Sequence, residues 1–406
     1  MSDVLEIGCL SAKADCQHPR IPWLLYTELR TCSAEGFSFS HRLFVPEFFV
    51  IIFWPSDCSA SADPGCGLQS AFYFYSSGDG VRFGVQPVGR TPNRTPSTLK
   101  VGMLSRALKH DKGAISTRLK KFGLAISAGP CFLARANQLL FLCGANRSLG
   151  VPSARREAIK RFIEGLSSDY RVIYAEGVFN ELAKIGHNRN VLDLEHEISD
   201  IADKILIVLE SPSAFCELGA FAHQSFRKKL VIINNLEFKT QQSFINTGPI
   251  AAAEEVKSPV LWYPMGSGVD AVDGIGATFK LLKDAVDGKP VQGVTRISSD
   301  LSKLAATKVS LYFVHDLVFF AGPLSHQELI DVLKTGFGDK NYDILKRLLG
   351  VLRAAGLIRS FDAAGTWVYR STGEKPFLRY PAKVDSLMAS FRAFHFQTQP
   401  TRFHRG

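Results

Sequence analysis

Two glutamates in segment 209–222 stand where a carboxylate could act on a sugar carbon. Glu210 directly follows a run of buried apolar residues, and Glu217 falls near the start of the next predicted helix. When a base leaves C1′ of a ribosyl group, positive charge develops on that carbon, and an adjacent carboxylate stabilises it. The position of Glu217 is therefore compatible with glycosidic-bond chemistry, although spacing alone favours a structural role. The structural alternative is that Glu217 only stabilises its helix N-terminus.

These glutamates need a rigid sheet to position them. Short apolar runs that alternate with segments of helical periodicity predict such a sheet. The predicted strands cover residues 139–143, 171–174, 204–209, 230–233 and 260–263, and the predicted helices cover 154–166, 193–202 and 215–227. This alternation with short connections predicts an α/β class with a Rossmann-like parallel sheet between helices, within a domain at 103–265. Ligands of such sheets bind beyond the carboxyl ends of the strands.

The C-terminal part has a different pattern. A linker with one helix is predicted at 266–304, and a capping box of Ser325 and Glu328 opens one of three later helices. The helices at 309–320, 327–333 and 341–355 precede a hairpin at 357–361 and 366–370. Three helices followed by a hairpin are typical of a winged-helix domain, which we assign to 305–380, with a basic tail at 381–406.

The first hundred residues show neither helical nor alternating periodicity. Residues 1–102 are expected to be irregular or a spurious N-terminal extension, with Met103 the start of the native protein. Five of the eight cysteines lie in the first 66 residues without a CxxC pair, so we expect free thiols and no metal site. No apolar run approaches the roughly 18 residues needed to span a bilayer, so a cytoplasmic protein without a membrane partner is expected.

The net charge of +10 points to a polyanionic partner, although basic segments can also serve solubility alone. The basic residues of the predicted winged helix could follow a phosphate backbone or could form a solvated face. They are Lys340, Lys346, Arg347, Arg353, Arg359 and Arg370.

Four segments together resemble the effector protein of a type of bacterial retron. They are residues 141–144, 210–212, the Glu-Leu-Gly-Ala-Phe motif at 217–221 and segment 238–249. That effector carries a nucleoside 2-deoxyribosyltransferase-like domain followed by a winged helix. The resemblance extends from Met103 to the C-terminus and is strongest over 139–249.

The resemblance implies an N-glycosidase whose catalytic carboxylate is Glu217, with Asp203 holding or protonating the nucleobase. The implied substrate is NAD⁺, cleaved to nicotinamide and ADP-ribose, with a nucleoside or nucleotide as second choice and no cofactor. Its implied role is that of an antiphage toxin held in a higher-order assembly with the retron reverse transcriptase and its msDNA and noncoding RNA. The loop before Glu217 departs from the pattern, because Ser213 and Ala214 replace a Gly-Ser pair and Ser211 replaces the aspartate of the transferases.

Further residues near the strand ends are candidates for substrate binding, each with a structural alternative. Gly144 could be a turn glycine, the arginines could be solvated, Tyr174 could belong to the core, and Asn246 could order its turn. The full set is Gly144, Arg155, Arg156, Tyr174, Glu176, Glu210, Ser211, Ser213 and Asn246.

A transcriptional regulator remains the alternative function: its α/β domain would sense a nucleotide without catalysis, and its winged helix would bind DNA. A phosphoribohydrolase is disfavoured, because the Gly-Gly-x-Gly-Thr phosphate loop of that class is missing.

Overall fold

The computed structural model describes residues 37–45, 48–55, 73–75, 102–110, 113–148, 150–184, 190–271, 273–287, 295–363 and 365–404. The chain divides into two units, Met1–Pro92 and Asn93–Gly406. In the first unit, strands β1 (Phe37–Val45), β2 (Phe48–Pro55) and β3 (Tyr73–Tyr75) form an antiparallel sheet in that order. The prediction of irregular structure is wrong over these strands, and the alternation Phe-Ser-Phe-Ser at the start of β1 is a short period-two pattern that the prediction overlooked. The rest of residues 1–101 lies outside the described residues.

The second unit contains the remaining strands, most of them short. They are β4 (Phe132–Leu133), β5 (Gln138–Cys143), β6 (Asn146–Ser148), β7 (Val151–Pro152), β8 (Tyr170–Ile173), β9 (Lys204–Val208), β10 (Leu230–Asn235), β11 (Val260–Tyr263), β12 (Thr295–Arg296), β13 (Leu324–Ser325), β14 (Ile358–Asp362), β15 (Trp367–Ser371) and β16 (Leu378–Arg379).

The α-helices of the second unit alternate with the longer strands and then follow one another in the C-terminal part. They are α1 (Met103–Lys109), α2 (Ala114–Ala128), α3 (Ala154–Leu166), α4 (Ala175–Lys184), α5 (Val191–Ile201), α6 (Pro212–Phe221), α7 (Ala251–Glu255), α8 (Phe279–Val286), α9 (Lys308–Ala321), α10 (His326–Phe337), α11 (Ile344–Ala354), α12 (Asp385–Thr398) and α13 (Thr401–His404). Among the described residues, none of the helices is both long and apolar enough to cross a membrane.

The central sheet is parallel, with strand order β11-β10-β9-β5-β8. Its strands are apolar runs buried on both faces, as expected when helices cover both sides of a parallel sheet. The predicted strands are confirmed, with ends that differ by one or two residues. The strand order reverses between β5 and β9, which makes the carboxyl ends of these two strands the topological switch point where ligands of such sheets bind.

Alternate residues of each strand enter two separate cores. Leu140 and Leu142 of β5 pack with α3 and α8, whereas Leu139 and Phe141 pack on the side of α4, α5 and α6. Phe279 of α8 stacks on Phe162 of α3 with ring centroids 4.1 Å apart. The segment predicted as a linker thus contributes a helix to the α/β layer.

The C-terminal part combines α9, α10 and α11 with a three-stranded antiparallel sheet of order β13-β15-β14. The capping box is confirmed: the Ser325 hydroxyl accepts from the Glu328 amide, and the Glu328 carboxylate accepts from the Ser325 amide. Helix α2 packs closely on α10. The approach is so close that a Cβ added at Gly123 would lie 1.8 Å from the Gly336 carbonyl oxygen. Helices α1 and α2 therefore join this layer, although the sequence assigned them to the α/β domain.

The prediction of a basic tail at 381–406 is wrong for the described residues up to 404. Helix α12 packs against α2 and α9, with Phe391 and His395 completely buried. Arg402 of α13 is buried in a two-pronged ion pair with Glu328, at 2.8 and 3.1 Å. Leu387, Phe391 and His395 recur every four residues and form one buried face of the helix. The prediction considered only the charge of the segment and missed this face.

Candidate active site

The switch point between β5 and β9 is crowded by the protein's own side chains. Gly144 follows β5 with φ of +150°, and a Cβ there would lie 3.0 Å from Glu210 Oε1 and 3.1 Å from Arg156 Cδ. Glycine is required because these two side chains occupy the space that a Cβ would need. This explains the residue type without a bound phosphate or sugar.

Glu210 is held entirely by the fold. Its Oε1 accepts hydrogen bonds from the Ala145 amide at 3.1 Å and the Ser153 hydroxyl at 2.5 Å, and its Oε2 accepts from Arg155 at 2.8 Å. Only 1% of the Glu210 side chain is exposed. The carboxylate therefore ties the loop after β9 to the start of α3.

Arg155 links this carboxylate to a second loop. Its Nε donates to Asp273 at 2.7 Å, and its Nη2 donates to the Gly266 carbonyl oxygen at 2.6 Å. Its guanidinium is thus bonded on every side while being almost fully buried. In this arrangement Arg155 and Glu210, both candidates for substrate binding, stabilise the loops around the site.

Arg156 positions a carboxylate that faces the site. Its two terminal nitrogens donate to the two oxygens of Glu176 at 2.8 and 3.1 Å, and further bonds reach the Leu142 carbonyl and Asn146 Oδ1. The guanidinium lies over the Tyr174 ring, 4.6 Å from its centroid. Burial raises the pKa of Glu176, but the Arg156 bonds outweigh it, so this pKa lies below its ordinary value.

Glu217 lies in the second turn of α6 and does not cap the helix. Ser211 is the N-cap, since its hydroxyl accepts from the Ala214 amide at 3.3 Å, and Pro212 opens the first turn. The Ser213 hydroxyl lies 2.9 Å from that of Ser211. One oxygen of Glu217, Oε2, is buried without a hydrogen-bond partner. The alternative of a capping glutamate is therefore wrong, and one buried oxygen of Glu217 has no hydrogen-bond partner among the described residues.

Two neighbouring carboxylates hold protons unusually tightly. Burial, followed by the charge of Glu195, raises the pKa of Glu217 from 4.5 to about 8, and Arg156 opposes this rise only in part. Burial and the charge of Glu176 raise the pKa of Glu195 to about 7. Near pH 7, the pair therefore shares protons, which is the condition in which one carboxyl group can donate a proton while another acts as a carboxylate.

The sequence analysis missed Glu195. It lies on α5 directly after Leu194, which with Ile198 forms part of the buried stripe of that helix. The sequence signal that could have identified Glu195 is its position beside a buried helical stripe. That stripe lies on the helix directly before the most buried strand. Cys143 at the end of β5 belongs to the same cluster, because burial and then the charge of Glu217 raise its thiol pKa well above the ordinary value.

A cavity of about 540 Å³ meets the carboxylate cluster at Glu176, while Glu195 and Glu217 are not among its lining residues. Glu176 and Tyr174, both predicted to bind substrate, are among its walls, and Lys160 and Arg161 of α3 supply positive charge. The other lining residues are Gly150, Pro152, Glu157, Glu164, Gly177 and Asn180. Glu176 thus belongs both to the cavity and to the carboxylate cluster.

Comparison with known proteins identifies the family. The family model described as "STM3845 retron effector protein" matches residues 152–360. The chain is 34% identical over 313 residues to the Escherichia coli protein "Retron Ec73 putative ribosyltransferase/DNA-binding protein", an alignment that covers 70% of this chain and 97% of the relative. The chain is a member of the STM3845 retron effector family. Its membership associates it with a retron system.

A second relative aligns with a shorter part of this chain. The Escherichia coli "Retron Ec86 putative ribosyltransferase/DNA-binding protein" is 32% identical over 120 residues, which cover 29% of this chain and 38% of the relative.

Asp203 lies away from the carboxylate cluster. It precedes β9, and Glu217 follows that strand, so about 16 Å of extended chain separates the two ends. Its Oδ2 accepts from the Leu139 amide at 2.7 Å and from Lys308 Nζ at 2.5 Å. The structure does not bring Asp203 and Glu217 together, because the amino and carboxyl ends of a parallel strand lie at opposite edges of the sheet.

The side chain of Asn246 orders the loop after β10. Its nitrogen Nδ2 donates to the carbonyl oxygens of Phe238 and Gln241, at 2.7 and 2.8 Å. Its Oδ1 is buried without a partner. The side chain thus fixes its turn, while a role in substrate binding stays a prediction.

The predicted nucleic-acid residues do not share one open surface. Helix α11 packs on α4 so closely that a Cβ at Gly350 would lie 3.0 Å from Val178. Arg347 forms an ion pair with Glu197, and the partly exposed Arg353 lies 3.5 Å from the buried Glu181. These two arginines join the C-terminal part to α4 and α5. Lys340 donates to the Ser302 hydroxyl. Lys346, Arg359 and Arg370 are half-buried and carry no acidic partner in the described part of the chain.

We expect Glu217→Gln to stabilise the retron effector, increasingly as pH rises. The folded chain retains the Glu217 proton up to about pH 8, whereas the unfolded chain loses it near 4.5. Between these values the folded state binds more protons, so this group lowers the free energy of unfolding as pH rises, and glutamine removes the effect. Thermal unfolding at pH 5 and pH 8 measures it. Glu254→Gln, an exposed change on α7, is the matched control, and an equal pH response in both variants would contradict the raised pKa.

Proposed function

We propose that this retron effector is an antiphage toxin with a nucleoside 2-deoxyribosyltransferase-like active site that hydrolyses a ribosyl–base bond, with NAD⁺ as substrate. The observation that carries this is the buried, unpartnered carboxylate oxygen of Glu217 beside Glu195 at the sheet's switch point. The word ribosyltransferase in the names of both relatives supports the same reaction class.

In the proposed reaction, the carboxylate of Glu217 faces C1′ of the bound ribosyl group. The bond between C1′ and the base nitrogen breaks, and its electron pair goes to the nitrogen, so nicotinamide leaves NAD⁺ as a neutral molecule. Glu217 stabilises the positive charge on C1′ or forms a bond to it. Water then adds to C1′ and gives a proton to Glu195; where Glu217 has bonded to C1′, that bond breaks in the same step and its electron pair returns to the Glu217 carboxylate. The positive charge of the nicotinamide ribosyl group favours ionised Glu217, which offsets its raised pKa when substrate binds.

For a neutral nucleoside, the base must be protonated as it leaves. We assign this step to Glu195 rather than to Asp203, because Glu195 is close enough to Glu217 to raise its pKa, whereas Asp203 lies at the opposite edge of the sheet. Asp203 would instead anchor the sheet to α9 through Lys308.

We also propose that the C-terminal part is a winged helix. The helices α9, α10 and α11, the short strand β13 and the hairpin β14-β15 follow the chain order of that fold. The basic charge and the words DNA-binding in the relatives' names support a nucleic-acid partner. In this proposal the reverse transcriptase, msDNA and noncoding RNA of the retron hold the enzyme inactive in the cytoplasm until infection.

The direct test is release of free base. The purified chain is incubated with NAD⁺, with deoxynucleosides and with nucleotides, and the products are separated by chromatography. We expect nicotinamide and ADP-ribose from NAD⁺. Base released only from another compound would change the substrate but keep the reaction class. Absence of release from the whole panel, by protein that is toxic in cells, would contradict the proposal.

The second candidate is a DNA-binding regulator without catalysis, favoured by the words DNA-binding in the relatives' names. It predicts sequence-specific duplex binding that Glu217→Gln leaves unchanged, together with no release of base from any substrate.

For a phosphorylated substrate such as NAD⁺, we expect Lys160 to bind a phosphate group. We expect Lys160→Gln to raise the KM for NAD⁺ about tenfold, since one charge-assisted hydrogen bond to a phosphate contributes about 1.5 kcal/mol. The KM for an unphosphorylated nucleoside should stay unchanged, because it lacks the group that Lys160 would bind. Steady-state kinetics on both substrates measures this, with Lys280→Gln, an exposed lysine on α8, as control. An equal rise for the nucleoside would argue against a phosphate contact.

A further inference from the structure

A groove of about 360 Å³ lies in the C-terminal part, away from the carboxylate cluster. It is bordered by α9, β15, α12 and α13. Its walls combine two arginines with three phenylalanines. They are Arg370, Arg392, Phe319, Phe396 and Phe403.

The groove carries positive charge that the described chain does not neutralise. The side chains of Arg370 and Arg392 form no ion pair or hydrogen bond within the part of the chain that the structure describes. Arg359 lies directly opposite Arg370 in the β14-β15 ladder, and its Nε is buried without a partner. Like charges placed opposite each other in a sheet are unfavourable, and an anion bound between or beside them would remove that penalty. The charges therefore indicate an anionic ligand.

Aromatic rings give the same groove a flat apolar face. Phe396 is 56% exposed, although it is a large apolar residue. Its ring stacks on that of Phe403, with centroids 4.5 Å apart and an angle of 11° between the planes. Phe319 of α9 contributes a third ring to the groove. Exposed aromatic faces beside arginines are what unpaired nucleic-acid bases and their phosphates bind.

The walls of the groove are anchored by buried polar contacts. His315 of α9 joins the Ser371 hydroxyl through Nε2 and the Asp316 carboxylate through Nδ1, each at 2.9 Å. The buried ion pair of Arg402 with Glu328 fixes α13, and with it the neighbouring Phe403. The aromatic and basic side chains thus project from elements whose positions are set before any ligand binds.

From these observations we infer that the groove binds a single-stranded segment of nucleic acid. Its phosphates contact Arg370 and Arg392, and an unpaired base stacks on Phe396. A duplex fits less well, because its base faces are covered by neighbouring pairs. Helix α11 is not the contact surface in this state, since Arg347 and Arg353 are engaged with α5 and α4. The inference rests on the proposed control of the enzyme by nucleic acid and is independent of which glycosidic bond is cleaved.

The test measures binding of the full chain to a fluorescein-labelled 12-nucleotide single strand and to the matching duplex by fluorescence anisotropy. We expect the single strand to bind more tightly. Phe396→Ala and Arg370→Gln should each weaken that binding about tenfold, and each arginine removed should reduce the slope of log K against log salt by about 0.7. Phe396→Tyr, which keeps a ring to stack on, should bind as the wild type does.

Two control variants separate this groove from the rest of the basic surface. Lys239→Gln removes an exposed charge after β10, and Lys346→Gln removes a half-buried charge from α11; both should leave binding unchanged. Loss of binding in Lys346→Gln with normal binding in the groove variants would overturn the inference. So would tighter binding of the duplex, absence of binding to either probe, or competition by poly-glutamate at equal charge. Release of base by the same preparations shows separately whether the proposed enzyme activity holds.

Discussion

Replacing Glu217 by glutamine should lower kcat for base release by about 10³-fold or more, because the amide cannot stabilise positive charge on C1′. The change keeps the size and shape of the side chain, and the helix is capped by Ser211, so folding should be preserved. Single-turnover release of nicotinamide from NAD⁺ measures the effect. Toxicity and NAD⁺ depletion in cells should disappear together.

Two further variants make this prediction specific. Glu254→Gln, the same chemical change at an exposed position, should keep full activity. Glu195→Gln should lower activity less, and it should lower the pKa of Glu217, because the neighbouring negative charge that raises it is removed. Undiminished base release by the Glu217 variant would refute the assignment of the catalytic carboxylate.

Replacing Arg155 by methionine should destabilise the fold by about 3–5 kcal/mol, since it leaves the buried carboxylates of Glu210 and Asp273 without their cation. Urea unfolding followed by circular dichroism measures the loss. Arg161→Met removes an exposed arginine from the same helix and should change stability by no more than about 0.5 kcal/mol.

A double variant separates the structural role of Arg155 from a role in binding. Adding Glu210→Gln to Arg155→Met should restore part of the stability, because one of the two unpaired buried charges is then neutral. If Arg155→Met were instead as stable as the wild type and only raised KM, the arginine would bind substrate and the predicted structural role would be wrong.

Elements with one strong local signal were predictable from the sequence. The strands of the central sheet are continuous apolar runs, and the limits of α3 were predicted residue for residue. The capping box at Ser325 depends only on residues three positions apart. Helix α12 was predicted as part of a tail, because the basic residues of segment 381–406 suggested a solvated segment, although Leu387, Phe391 and His395 lie on one face of the helix.

The site was predictable only where its residues follow the strands in the chain. Glu217 and Glu176 lie just after the carboxyl ends of their strands, so the rule for parallel sheets places them near the site. Glu195 follows no strand, and only the packing of α5 brings it to Glu217. Asp203 was chosen by resemblance, but a residue that precedes a strand lies at the opposite edge of the sheet.

The sequence by itself determined the α/β class and the sheet strands, and it proposed the glutamate of the helix after β9 as a candidate, because these depend on hydrophobic periodicity and on neighbours in the chain. Only the tertiary structure decided which charges are paired. Arg155, Glu210, Arg347 and Arg353 find their partners on other elements, while Arg370 and Arg392 find none in the described chain. The physical reason is that burial and the nearest opposite charge set what a side chain can do, and both are properties of distance in space.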